Sequence, residues 1–228
     1  MSCSRRSFIR GIGGAILVTY PVHRFLAGTL SRQTIVIDNV RYGMLHDETR
    51  CIGCKACVVA CHNINNVPAG VTRVDIVDNG TWQDQGKTQK QFARKSCQHC
   101  DNPPCVEVCP TGASYKDAKT GIVDVDANRC VGCRYCLAAC PYHVRFIHPV
   151  TKTADKCNFC RDTNLAKGRL PACVAVCPTK ALTFGNLDDP DSEIAKAIAG
   201  RTVYRSKIHL GTAPKLYHIP GKFGEIPQ

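Results

Sequence analysis

The sequence predicts an α+β fold of tandem, nested units, with short β-hairpins and short helices around a core organised by cysteine clusters. Three observations predict it. Sixteen of the seventeen cysteines fall into four runs: Cys51, Cys54, Cys57, Cys61; Cys97, Cys100, Cys105, Cys109; Cys130, Cys133, Cys136, Cys140; and Cys157, Cys160, Cys173, Cys177. Short β-forming stretches bounded by Gly, Pro, Asn and Asp recur between and after the runs. Large apolar side chains are few, with seven Phe, seven Tyr, one Trp and two Met in 228 residues, so a conventional apolar core would be thin.

The third run carries the chemistry most clearly. It reads Cys130-Val-Gly-Cys133-Arg-Tyr-Cys136-Leu-Ala-Ala-Cys140-Pro141. Three thiolates at every third residue wrap three corners of one cubane iron-sulfur cluster, and a fourth cysteine before proline turns away to ligate the other cluster of a pair. Sixteen thiols in four such runs predict four 4Fe-4S clusters. A disulfide scaffold is the bland alternative for a cysteine-rich exported chain, but three thiols on one tight turn pair poorly with one another. A zinc protein is the other alternative; zinc ribbons use separated C-x-x-C pairs, not triplets followed by C-x-x-x-C-Pro. Because ligand bonds formed only in the folded state contribute to folding, the protein without its clusters is expected to be largely unfolded.

The formal charge of +12 first suggests a nucleic-acid partner. Residues 1–27 hold four arginines and no acid, which leaves +8 for the remainder. A thiolate-ligated 4Fe-4S cluster carries about −2 when oxidised, so four of them bring that remainder to about neutrality. The basicity then reads as counter-charge, with Lys55, Arg129, Arg134, Lys156 and Arg161 nearest the cysteines, and no nucleic acid is expected as partner.

In chain order, Ser4-Arg5-Arg6-Ser7-Phe8-Ile9-Arg10 and the apolar, Gly-rich 11–20 read as a twin-arginine signal within residues 1–27, too short and weakly apolar for a membrane span. That route exports folded proteins, which suits clusters inserted in the cytoplasm. Cys3 in this leader lacks cysteine partners. Strands are expected over Thr34–Asp38 and Val40–Met44 and a helical turn over Val58–Asn63. His62 stands where the other runs have Pro110, Pro141 and Pro178, and four cysteines leave neither it nor His99 a ligand role. Residues 64–96 form a β-hairpin insertion, with strands at Val71–Val77 and Gln91–Lys95, a turn over Asp78–Gly86, and Trp82 packed in that turn. Strands at Gly121–Val125, His143–Ile147 and Thr179–Phe184 supply hairpins over the clusters. Asp189-Pro190-Asp191-Ser192 opens a helix with an acidic cap and proline at its first position, closed by Gly200, with Ile194 and Ile198 inward. Residues 201–228 have no periodicity and read as an extended arm.

Twenty residues separate Cys109 from Cys130, the compact spacing of one two-cluster unit, so residues 97–140 form an inner ferredoxin-like unit. Residues 35–63 plus 141–190 form a discontinuous outer one, with 191–228 as the C-terminal helix and arm. By the exchange of fourth ligands, Cys97, Cys100 and Cys105 share a cluster with Cys140, and Cys130, Cys133 and Cys136 with Cys109. Likewise Cys51, Cys54 and Cys57 take Cys177, and Cys157, Cys160 and Cys173 take Cys61. The twelve residues between Cys160 and Cys173 form a loop at a cluster edge that suits partner contact.

These runs, with Val40-Arg-Tyr-Gly-Met44, Lys95-Ser-Cys-Gln-His-Cys100, Arg145-Phe-Ile-His-Pro-Val-Thr-Lys-Thr-Ala-Asp-Lys-Cys157 and Ala181-Leu-Thr-Phe-Gly-Asn-Leu-Asp-Asp-Pro190, resemble the four-cluster iron-sulfur subunits of bacterial respiratory complexes, the dimethyl sulfoxide reductase type. Within that group the chain is most similar to iron-sulfur subunits of the formate-dependent cytochrome c nitrite reductase (Nrf) pathway, over about residues 35–228. The resemblance implies a periplasmic electron relay at the outer face of the inner membrane. A polytopic membrane subunit would oxidise menaquinol, a multihaem cytochrome c would accept the electrons for nitrite reduction to ammonia, and the relay would meet the membrane through its partner. Some relatives replace a third-run cysteine by tryptophan; this chain keeps cysteine throughout, which implies four 4Fe-4S clusters. No nucleophile, open metal position or substrate pocket is legible, so the chain reads as a carrier and not an enzyme. The nearer alternative is the same relay serving a molybdopterin oxidoreductase or hydrogenase; the distant one is a zinc-bound structural or nucleic-acid-binding protein.

Overall fold

Strand β1 (Tyr42–Asp47) is buried along its whole length because it has a partner on each edge. It pairs antiparallel with β8 (Leu182–Asn186), Met44 opposite Phe184, and parallel with β9 (Leu216–Ile219), Met44 opposite Leu216. The computed structural model describes residues 40–224, and these belong to one compact unit. The twin-arginine leader with Cys3, the expected strand Thr34–Asp38 and residues 225–228 lie outside the described residues.

The two faces of this sheet do different work. Alternation along a strand sends Tyr42 and Met44 to one side and Leu45 to the other. Tyr42, Met44, Phe184 and Leu216 pack with Cys57, Cys97, Cys157, Cys173 and Phe159 in the largest core. Leu45 and Ile219 meet Ile194 of helix α5 (Glu193–Ala199) in a separate apolar core. Ser192 caps α5, its hydroxyl accepting from the Ala195 N–H at 3.1 Å, and Gly200 closes it. Pro190 therefore stands before the cap rather than at the first helical position, a correction that follows from Ser192 alone reaching the free N–H groups.

Helix α1 (Ala56–Asn65) follows the first run, and α2 (Pro104–Glu107), α3 (Tyr135–Ala138) and α4 (Ala172–Ala175) are single turns inside the others. Helix α1 packs on α4, and α2 on α3. Strands β4 (Ser114–Lys116) with β5 (Val123–Val125), and β6 (Phe146–Ile147) with β7 (Ala154–Asp155), make short hairpins.

Three expectations require correction. Residues 78–84 are strand rather than turn: β2 (Val74–Asp84) pairs with β3 (Lys87–Ser96) past a bulge between Asp78 and Thr81, and only Gln85-Gly86 makes the turn. Trp82 is thus a strand residue, edge-to-face with Phe223 at 5.7 Å. The stretch ending at Phe184 closes no local hairpin; β8 reaches back to β1. Nor is 201–228 an arm throughout: β9 completes the sheet, with Leu216 and Lys215 fully buried. A strand buried on both faces carries no polar alternation, so periodicity could not mark it.

Candidate iron-sulfur centres

The runs fold into loops because their residues tolerate the left-handed backbone. Gly53 and Gly132, third in Cys-x-Gly-Cys, have φ of 70° and 69°, and Lys55 and Arg134 turn the chain into α1 and α3 at φ 57° and 69°. A Cβ on Gly53 would meet the Phe92 ring at 2.5 Å, and one on Gly132 the Lys152 carbonyl at 2.7 Å. The glycines let each loop curl under its neighbour.

The curled loops bring together cysteines from different runs. Cys51, Cys54 and Cys57 line one cavity with Cys177. Cys130, Cys133 and Cys136 line another with Cys109. The two are built alike: Cys109 and Cys177 each precede Pro-Thr, each lies 3.7 Å from that threonine hydroxyl, and each accepts a backbone N–H at 3.3 Å, from Ser114 and Ala181. Cys130 accepts from the Ala154 N–H.

The other eight cysteines lie deeper. Asn65 Nδ2 donates to both Cys61 Sγ, at 3.6 Å, and Cys160 Sγ, at 3.4 Å. Burial, and then the nearby Cys157, Cys173 and Cys160, raise the Cys61 thiol far above its ordinary value. Burial and then Cys97 lead the shift of Cys100 to about 12, with Cys105 and Cys140 adding to it. All eight are buried, whereas Cys54 and Cys133 are exposed. The structure thus groups two outer and two inner quartets, each taking its fourth thiol from a different run, in the exchange read from the sequence.

The donor set fits an anionic cluster on grounds the cysteines alone do not supply. Arg94 and Arg145, at 2% and 8% exposure, have no carboxylate partner among the described residues. Arg145 Nη2 donates to Cys105 Sγ at 3.0 Å and to the Ser114 hydroxyl; Arg94 Nη2 reaches Cys173 Sγ at 3.8 Å. Burial works against both charges, and thiolates outweigh it: Cys173, Cys157, Cys57 and Cys61 around Arg94, and Cys105, Cys97 and Cys136 around Arg145. Each guanidinium therefore spans an inner and an outer quartet, and each leaves one Nη1 buried without a partner. A buried unpaired cation is costly enough that a neighbouring negative group must compensate it. Thiolate-ligated iron-sulfur clusters supply that charge.

Sequence reasoning named other cations. Lys156 is buried and donates to the carbonyls of Val123 and Cys157, with Asp124 3.8 Å away. Arg161 instead pairs with Asp124 and Asp162, Lys55 pairs with Asp75 at 3.4 Å, and Arg129 donates to the Thr111 carbonyl. Arg94 and Arg145 were missed because nothing in their local sequence separates them from half-buried neighbours such as Lys95. His62 sits by the Thr72 hydroxyl at 3.3 Å, away from a ligand position. His46, Glu48 and His218 gather their ligand atoms within 4.8 Å of one another. Glu48 already accepts from Tyr204, Gln91 and the Gly221 N–H, and His218 Nδ1 lies 3.3 Å from it.

Comparison with known proteins agrees with this geometry. Two 4Fe-4S dicluster domain models match, over residues 50–113 and 88–187. The chain is 58% identical to Protein NrfC of Escherichia coli strain K12 over 228 residues, all of both proteins. It is 52% identical to the B subunit of polysulfide reductase of Wolinella succinogenes over 187 residues, 82% of this chain and 97% of that one. It is 56% identical to the thiosulfate reductase electron transfer subunit PhsB of Salmonella typhi over 178 residues, 78% of this chain and 91% of that one.

Proposed function

Because this protein belongs to the 4Fe-4S dicluster family that contains NrfC, the polysulfide reductase B subunit and PhsB, we propose that it relays electrons from a membrane menaquinol-oxidising subunit to a multihaem cytochrome c for nitrite reduction. The observation that carries the relay is the layout of the thiols, with two exposed-edge quartets flanking two buried ones. Each 4Fe-4S cluster supplies a one-electron couple and, with four cysteine ligands, no open iron position.

The sixteen cysteines would hold four clusters, in the quartets described. The protein's own residues do the rest. Backbone N–H groups of Ser114, Ala154 and Ala181 donate to sulfur, Arg94 and Arg145 place positive charge between quartets, and packed side chains keep water from the inner eight thiols. Ile52 and Val131, exposed beside Cys54 and Cys133, leave an apolar edge at each outer quartet where electrons would enter or leave. No helix among the described residues is long and apolar enough to cross a membrane; the relay would meet the membrane through its partner. The twin-arginine sequence supports a periplasmic location. Full-length identity to NrfC supports the nitrite pathway; the similarity to polysulfide and thiosulfate reductase subunits supports a second reading, the same relay serving a molybdopterin enzyme.

The test is gentle purification from anaerobically grown membranes with quantification of iron, haem c and molybdenum. Haem c with a polytopic subunit and no molybdenum is expected. Stoichiometric molybdenum without haem c would move the relay to a molybdoenzyme, and a colourless zinc protein would overturn it.

A further inference from the structure

The two buried quartets meet where two loops pack together. Their first two ligands sit on matching loops, Cys97-Gln98-His99-Cys100 and Cys157-Asn158-Phe159-Cys160. His99 and Phe159 both have left-handed φ, 46° and 56°. That unusual backbone accompanies two side chains that face one another. The rings stack with centroids 3.7 Å apart and planes 22° apart, and both residues are fully buried. The His99 N–H donates to Cys97 Sγ at 3.5 Å. His99 and Phe159 each immediately precede a ligand of their own quartet, Cys100 and Cys160.

The surroundings hold this pair rigidly. The Val123 N–H donates to His99 Nδ1 at 3.2 Å, so that nitrogen carries no proton and the ring is fixed in orientation. Phe159 is braced edge-on by Phe184 at 5.1 Å. The cations facing the imidazole are Lys156, Lys215, Arg145 and Arg94. Lys156 and Lys215 are anchored to the Val123 and Gly121 carbonyls, with Asp124 and Asp101 as their acids.

We propose that the His99–Phe159 stack is the positioning contact through which an electron crosses between the two inner quartets. The step would make and break no bond and move no proton: the cluster held by one inner quartet would lose one electron and the cluster held by the other would gain it. Dense packing serves this because a void or a mobile water in the same gap would offer fewer atoms in contact along the path. The inference rests on the relay reading.

The test uses the full chain with its clusters, in Phe159→Leu, which keeps apolar bulk and removes the ring face, and in Phe159→Tyr, which keeps the ring. Iron and sulfide content and the EPR spectra of the reduced protein come first; their absence in the unaltered protein would sink the relay reading itself. Redistribution of an electron after pulse reduction, followed by rapid freezing and EPR, then reads the crossing. The expected result is slower redistribution in Phe159→Leu, unchanged redistribution in Phe159→Tyr, and cluster content and midpoint potentials unchanged in both. Redistribution in Phe159→Leu at the unaltered rate would overturn the proposal. So would loss of iron from Phe159→Leu with retention in Phe159→Tyr, since the ring would then only hold the loops together.

Discussion

The outer and inner quartets use the same ligand type but differ in spacing and surroundings: the outer runs place a thiol at every third residue, while four and twelve residues precede the third thiol of the inner ones. Cys54 and Cys133 of the outer pair are exposed, flanked by Ile52 and Val131 at the surface, while all eight inner thiols are buried. Around the inner pair stand Arg94, Arg145, Lys156 and Lys215, every one buried. Potential follows net charge, hydrogen bonds to sulfur and solvent access rather than ligand identity. Repetition of a motif therefore sets what is bound, and position in the fold sets how each copy behaves.

Iron removal bears on this comparison most strongly. Chelation is expected to cost the whole folding free energy, about 5–15 kcal/mol for a domain, because the thiols replace an apolar core. The outer quartets should release iron first, since Cys54 and Cys133 face solvent; simultaneous loss of all EPR signals would erase the distinction. Burial, the leading cause, lifts the Cys57 and Cys157 thiols to about 11. Iron must therefore displace protons from them, and iron retention should fall as pH falls.

Replacing Arg145 by Leu removes the cation between an inner and an outer quartet. Breaking such a buried charge pairing costs about 3–5 kcal/mol, and the inner midpoint potential should fall in an EPR-monitored redox titration. Lys55→Met beside the outer quartet should stay within about 0.5 kcal/mol, because the Lys55–Asp75 pair is half-exposed. Equal shifts in the two variants would mean that burial does not distinguish the quartets.

Cys61→Ser separates exchange from simple runs. It should abolish or convert the cluster held by Cys157, Cys160 and Cys173 and leave that of Cys51, Cys54 and Cys57 intact; the reverse pattern of EPR signals would refute the exchange. The smallest effect is expected from Ser192→Ala, about 1 kcal/mol by loss of the α5 cap, read as a lowered melting temperature with every cluster signal unchanged.

Much of the candidate site was legible in the sequence. The spacing of the cysteines dictated the loops, because only a few backbone paths connect thiols with two residues between them. Cys-Pro-Thr at 109–111 and 177–179 marked the exchanged ligands. Helix α5 was visible through Ser192 and Gly200, although Pro190 obscured its first residue.

What the sequence by itself determined was local: which thiols gather in a run, where the chain turns and how much counter-charge the clusters need. Only the tertiary structure decided which charges and rings face them. Arg94 on a hairpin strand, Arg145 on a loop and Lys215 beside the last strand converge on one interior from distant parts of the sequence. Likewise β9 finds β1 across more than 160 residues through a parallel pairing that leaves no alternating pattern, and His99 meets Phe159 only when two separate loops fold against each other. Such contacts are set by packing between segments, which residue spacing within one segment does not encode.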